Sequence, residues 1–265
     1  MYSEAESAPG GPEKEIISTE ALGRIARELQ EAARKIELSP EIISQSQAIY
    51  DFIGYQVDIQ NDYEQGKIDL PTPEEQEAAK KAGYTLALIE YPDRNQIIQK
   101  TNAKYDQEFD SYEDKGVWLS SDAQRDLPQT QAAQNPLSKP RLVFVKPQAD
   151  WKKAHPETKN TTFPQAQKLL EQENQKNPDL NLEGWDLPLH LLADTHHYLA
   201  TKEHLNWVWL LKEQAKDNQG NPTRCLNASW SSGSRRVGVF SVSASDRNGV
   251  LGARFAAVPK TESST

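Results

Sequence analysis

Residues 230–258 read WSSGSRRVGVFSVSASDRNGVLGARFAAV. From Arg236 to Val242 the run has the two-residue alternation of a strand, which places Val237, Val239 and Ser241 on one face and Arg236, Gly238, Phe240 and Val242 on the other. If the valine pair packs inward, Phe240 and Val242 stand outward beside Ser231, Ser232 and Ser234. Apolar side chains exposed within a rim of small polar ones suit a binding surface. The same residues also fit a small strand buried on both faces. The surrounding composition is anomalous: Lys, Glu and Gln make up roughly a quarter of the chain, yet none occurs from 220 to 259. Five of the eleven arginines (Arg224, Arg235, Arg236, Arg247 and Arg254) lie there against one acid, Asp246. They lack interleaved lysines and a stacking platform, which argues against a nucleic-acid patch.

Working outward, 251–258 (LGARFAAV) closes the chain with a strand, and 141–146 (RLVFVK) supplies one expected to pair with it. Between them, Thr162-Phe163-Pro164 opens a helix that must end before Pro178. Gly184-Trp185-Asp186-Leu187-Pro188 leads into a second helix from Leu189 to Leu199, and a strand follows around Trp207 to Leu211. The N-terminal half reads differently. Residues 1–12, rich in Glu, Ser, Gly and Pro, suit a flexible tail. Apolar residues at three- and four-residue steps predict an amphipathic helix from 15 to 38. Ser39-Pro40 caps a second, whose stripe through Ile42, Ile49, Phe52, Ile53, Gln56 and Ile59 runs towards Gly66. Thr72 and Glu75 form a capping box on a helix stopping at Gly83. Tyr84–Tyr91 reads as a strand, 94–104 is helix-compatible, and Val117-Trp118-Leu119 is a short strand. The polar stretch 120–139 reads as a linker. The division expected is a 13–119 helical and mixed region, a 120–139 linker, a 140–259 domain and a 260–265 tail.

The whole chain has 265 residues and a formal net charge of −9, a balance that disfavours wholesale binding to nucleic acid or anionic membrane. Cys225 is the one cysteine, so neither a disulfide nor a cysteine-rich zinc site can form within the chain. No stretch approaches the about 20 apolar residues of a membrane span, and 1–15 lacks the apolar region of a signal peptide. A cytoplasmic or particle-associated protein is the expectation.

The order helix, GWDLP, helix, then Trp230 opening a Ser/Gly run, then the terminal LGARFAAV resembles the C-type-lectin-fold variable proteins of diversity-generating retroelements, akin to the formylglycine-generating-enzyme branch of that fold. The resemblance covers about 140–259. It implies an α+β protein whose C-terminal codons are randomised at adenines, the varied side chains forming a ligand-binding surface on a rigid fold. Such randomisation of Asn-type codons cannot produce Lys, Glu, Gln, Met or Trp, and 231–258 contains none of them. By that pattern the varied set is drawn from Ser231, Ser232, Gly233, Ser234, Arg236, Gly238, Phe240, Val242, Ala244, Ser245, Asn248 and Gly249; the small Ser, Gly and Ala residues among them imply a shallow site with Arg236 and Phe240 as anchors. Trp185, Trp230, Val237, Val239, Arg247, Leu251, Gly252, Arg254 and Phe255 are framework. The implied function is non-catalytic display towards a macromolecular, protein ligand, needing no cofactor. The N-terminal helices would serve self-association or docking.

Departures from related families bear on chemistry. Formylglycine-generating enzymes use cysteines that this chain lacks, and calcium-dependent lectins carry Glu-Pro-Asn or Gln-Pro-Asp and Trp-Asn-Asp triplets absent here. His190, His196, His197 and His204 with Asp194 offer zinc-type donors at poor spacing, which leaves a metal-dependent enzyme of the same fold as an alternative reading. A structural phage or particle component is another. Cys225 with His204 lacks a third orienting residue for nucleophilic catalysis. Trp185, Trp207, Trp209 and Trp230 read as core and framework rather than a ligand cage.

Overall fold

In the computed structural model the described residues are 38–109, 116–148, 151–216, 222–232, 234–246 and 251–260. The helix expected over 15–38 lies outside them, except for Leu38. Helix α1 (Pro40–Ile53) starts as its sequence dictates: Ser39 Oγ accepts from the Ile42 N–H at 3.3 Å, and Pro40 occupies the first turn. It ends at Gly54, where φ is +71°, rather than continuing towards Gly66. Asp58 caps a separate short helix, α2 (Ile59–Glu64), so Ile59 enters the core from a new element. In α3 (Pro73–Lys81) the capping box is complete: the Glu75 N–H donates to Thr72 Oγ1 at 3.2 Å, and the Thr72 N–H to Glu75 Oε2 at 2.7 Å.

Strand β1 (Leu86–Glu90) leads to helix α4 (Arg94–Glu108) and strand β2 (Val117–Leu119). The stretch read as a linker instead carries α5 (Ser121–Asp126), a 3-10 turn (Leu127–Gln129) and α6 (Gln131–Gln134). Its small residues Ala123 and Ala132 are buried, and its polar ones are fixed by the strands beneath. Ser241 Oγ donates to Asp126 Oδ2 at 2.5 Å, Arg224 Nε to the same oxygen at 2.9 Å, and Thr130 Oγ1 to Glu213 Oε2 at 2.5 Å. Strand β3 (Arg141–Val145), α7 (Trp151–Ala154), α8 (Phe163–Lys176) and β4 (Asn181–Gly184) follow. The chain ends with α9 (Leu187–Thr201), β5 (Val208–Lys216), β6 (Pro222–Ser231), β7 (Arg236–Ser243), β8 (Gly252–Ala253) and β9 (Phe255–Val258).

The protein is α+β, with two sheets. One is antiparallel in the order β1-β3-β9-β4, and within it RLVFVK and ARFAAV do pair, Phe144 opposite Ala257 and Val145 opposite Ala256. The other has the order β2-β7-β6-β5-β8, with β2 parallel to β7 and β8 parallel to β5. Because β1 pairs with β3 and β2 with β7, residues before and after 120–139 share both sheets, and the chain from Ile36 onward is one compact unit. The separation into an N-terminal region and a C-terminal domain therefore gives way to interleaved strands.

The GWDLP turn ties the sheets together. The Trp185 N–H donates to the Arg254 carbonyl at 3.3 Å, and the Lys212 N–H donates to the Trp185 carbonyl at 3.2 Å. Asp186 caps α9 by accepting from the Leu189 N–H at 3.0 Å, while Glu213 Oε1 accepts from the Leu187 N–H at 2.9 Å. Two orphan donors at the start of α9 are thereby satisfied. Trp185 and Arg254 are both buried, the guanidinium lying 5.2 Å from the indole centroid.

Candidate functional site: the outer face of the five-stranded sheet

Alternation along β5, β6 and β7 sorts their side chains between two faces. The inner face carries Val208, Leu210, Leu226, Ala228, Val237 and Val239, which pack with Ile98 and Tyr105 of α4 and with Leu187 and Leu191 of α9. The outer face carries Cys225, Asn227, Ser229 and Ser231 of β6 opposite Val242, Phe240, Gly238 and Arg236 of β7, with Trp209 of β5 opposite Asn227. Strand β2 adds Trp118, opposite Gly238. Gly116 sets the start of β2: its φ is +67°, its carbonyl accepts from the Val237 N–H at 3.0 Å, and Asn102 Oδ1 accepts from the Val117 N–H at 2.7 Å.

Several residues expected on a variable surface gather on this face. Arg236, Phe240 and Val242 are half-buried along β7, and Ser231, Ser232 and Ser234 lie at its hairpin, where Ser234 Oγ donates to Ser231 Oγ at 2.7 Å. Ser245 is exposed just beyond the strand. Two others do not fit. Gly238 is buried, and a Cβ built there would lie 2.8 Å from Phe240 Cε2, so a side chain at 238 displaces the ring. Ala244 is 5% exposed, its N–H bonded to the Thr223 carbonyl and its own carbonyl accepting from the Phe163 N–H. Gly233, Arg247, Asn248 and Gly249 lie outside the described residues. Of the residues read as framework, Trp185, Val237, Val239, Leu251, Gly252, Arg254 and Phe255 are buried and Trp230 is half-buried.

The aromatic side chains of the outer face form one cluster. Trp207, just before β5, stacks on Phe240 with centroids 5.4 Å apart and planes at 27°. Trp118 meets Phe240 edge-on at 5.3 Å, and the Arg236 guanidinium lies 4.4 Å from the Trp118 centroid. Beside this cluster is a recess of about 360 Å³ lined by Trp207, Trp209, Asn227, Phe240, Val242, Asp246 and Leu251. Trp209 is 0% and Asn227 2% exposed, yet neither Trp209 Nε1 nor Asn227 Oδ1 has a hydrogen-bond partner among the described residues. Ser229 Oγ, next along the same face of β6, is likewise buried and unpaired. An unmet buried donor or acceptor costs about 1–3 kcal/mol, so three on one face of one sheet call for an explanation.

The histidine cluster resolves into separate roles. Asp194 is buried and accepts at Oδ2 from the Tyr105 hydroxyl and His204 Nδ1, both at 2.8 Å, and at Oδ1 from the Leu205 N–H at 2.7 Å. Burial works against the Asp194 carboxylate, but His204 and these hydrogen bonds outweigh it and hold its pKa below the ordinary value. The His204 ring stacks between Trp230 at 3.6 Å and Tyr198 at 4.9 Å. His190 is fully buried, and burial pushes its pKa down to about 4. Among the described residues no three His, Cys, Asp or Glu side chains converge as metal ligands, so the zinc-type reading finds no ligand set there. Burial pushes the Cys225 thiol up, away from the reactive thiolate. No helix among the described residues is long and apolar enough to cross a membrane.

The sequence points to Phe240 and Arg236 here, and its reading of Trp209 and Trp207 as packing residues holds, Trp209 being fully buried in the core and Trp207 packed against it; it does not reveal Trp118, Asn227, Ser229 and Asp246 as their neighbours. The signal was present in β6: in CLNASW the polar Asn227 and Ser229 alternate with Leu226, Ala228 and Trp230, as on a strand whose second face is not simple core. No family model, curated protein or solved structure matches this chain.

Proposed function

We propose that this chain is a non-catalytic display protein, whose outer sheet face binds macromolecular, protein ligands and is diversified by a retroelement on a fixed fold. The observation that carries the reading is the segregation along β7. Val237 and Val239, read as framework, are 0% exposed, while Arg236, Phe240 and Val242, read as variable, remain partly open beside Ser231, Ser232 and Ser234. Changes on that side leave the inner packing intact, and the fold bears the ordering cost of presenting them. Burial of Gly238 and Ala244 narrows the variable set among the described residues to Ser231, Ser232, Ser234, Arg236, Phe240, Val242 and Ser245. The composition of 231–258, free of Lys, Glu, Gln, Met and Trp, is what adenine-directed randomisation permits.

The test is to sequence the encoding locus and its close relatives. The proposal predicts a near-identical template repeat beside a reverse-transcriptase gene, with mismatches confined to adenines and falling on those codons. An isolated gene with ordinary substitutions spread evenly over inner- and outer-face codons overturns it.

A further inference from the structure

The recess beneath the variable surface is formed in part by side chains outside the variable set, and its polar atoms define a chemistry of their own. Trp209 Nε1 is a donor and Asn227 Oδ1 an acceptor; both are buried and unpaired, and their residues are directly opposed across the β5–β6 ladder. The stacked Trp207 and Phe240 rings line the same recess, as does the exposed Asp246. A purely apolar occupant would leave both buried atoms unmet. A bare cation could satisfy Asn227 and Asp246 but not the indole N–H, and an anion would be opposed by Asp246. One group with a carbonyl for Trp209 and an N–H for Asn227 meets both, and if it is planar it also stacks on the aromatic pair.

We propose that this recess is a binding site for a planar amide-bearing ring, a lactam, whose carbonyl accepts from Trp209 Nε1 and whose adjacent N–H donates to Asn227 Oδ1. The volume of about 360 Å³ lies at the lower end of the roughly 300–1,000 Å³ usual for small-molecule sites. The proposal rests on the reading that the outer face binds ligands, but not on retroelement diversification, because Trp207, Trp209, Asn227 and Leu251 are outside the variable set.

The test uses the full chain, labelled with ¹⁵N and with its indole signals assigned by single Trp→Phe variants. It is titrated separately with uracil, with 1,3-dimethyluracil, which keeps both carbonyls but has no N–H, and with tetramethylammonium chloride. The site predicts a saturable downfield shift of the Trp209 indole signal with uracil in the millimolar range, and binding at least about tenfold weaker for the dimethyl compound, the equivalent of one lost hydrogen bond. Asn227→Leu should weaken uracil to the same degree while leaving the dimethyl compound unchanged. If that variant does not fold, the pair of uracils still decides the matter. Absence of a saturable Trp209 shift, an equal response to both uracils, or a response to tetramethylammonium alone overturns the proposal. Since locus sequencing reports on diversification separately, failure of one reading is distinguishable from failure of the other.

Discussion

The two faces of the five-stranded sheet share their strands and differ in what lies against them. On the inner side, where α4 and α9 cover the valines and leucines, a charged group as costly to bury as Asp194 has three hydrogen-bond donors around it. On the outer side Trp209, Asn227 and Ser229 are just as buried, yet each has a polar atom unpaired, and they sit beside aromatic rings that remain half-open. Burial alone therefore does not separate framework from site in this molecule. Unpaired buried polar atoms do not separate them by themselves either, since Thr101, Trp185 and His190 also carry them. What sets the outer side apart is that two residues with unpaired atoms, Trp209 and Asn227, are grouped around a recess that the half-open Trp207 and Phe240 also line.

That contrast can be broken by substitution. The largest effect is expected at Asp194→Ala, which strips the carboxylate from its three donors; breaking such a buried pair costs about 3–5 kcal/mol, measurable by urea denaturation. An effect there no larger than at an exposed acid would remove the distinction between the faces. Leu226→Ala, on the inner side of β6, should lose about 2–5 kcal/mol by opening a cavity. His190 sharpens the inner account through pH. Its folded pKa, about 4, lies below the ordinary 6.5, so the unfolded chain binds the proton first, and stability present above pH 6.5 is lost as pH falls towards 4. Near pH 5 this amounts to about 2 kcal/mol, and His190→Leu should abolish that part of the slope between urea midpoints at pH 7 and pH 5. The smallest effect is expected outside: Phe240→Ala should lower stability by less than about 1.5 kcal/mol. A loss as large as that of Leu226→Ala would make Phe240 core.

Much of the inner architecture is legible in the sequence. Local rules wrote the Thr72–Glu75 box, the Ser39-Pro40 start and the alternation of 236–242, since each depends on neighbours a few residues apart. The pairing of RLVFVK with ARFAAV is legible there too. What escaped was set at long range. The polar 120–139 stretch reads as a linker because Asp126 and Thr130 find their partners in Ser241, Arg224 and Glu213, about 80 to 115 positions away. Gly54 ends α1 although the apolar stripe continues, because its left-handed backbone lets the chain turn and restart at Asp58. The recess was invisible for the same reason. Asn227 and Trp209 are unremarkable singly and become a donor and acceptor pair only through the β5–β6 register.

The central claim is that the outer face varies freely while the inner face specifies the fold. Two libraries of the full chain test it, one randomising Ser231, Ser232, Ser234, Arg236, Phe240, Val242 and Ser245, the other Leu226, Ala228, Val237 and Val239, with folding scored by protease resistance of individual members. Most outer-face members are expected to remain folded and most inner-face members to be degraded; loss of folding at equal frequency in the two libraries would contradict the account.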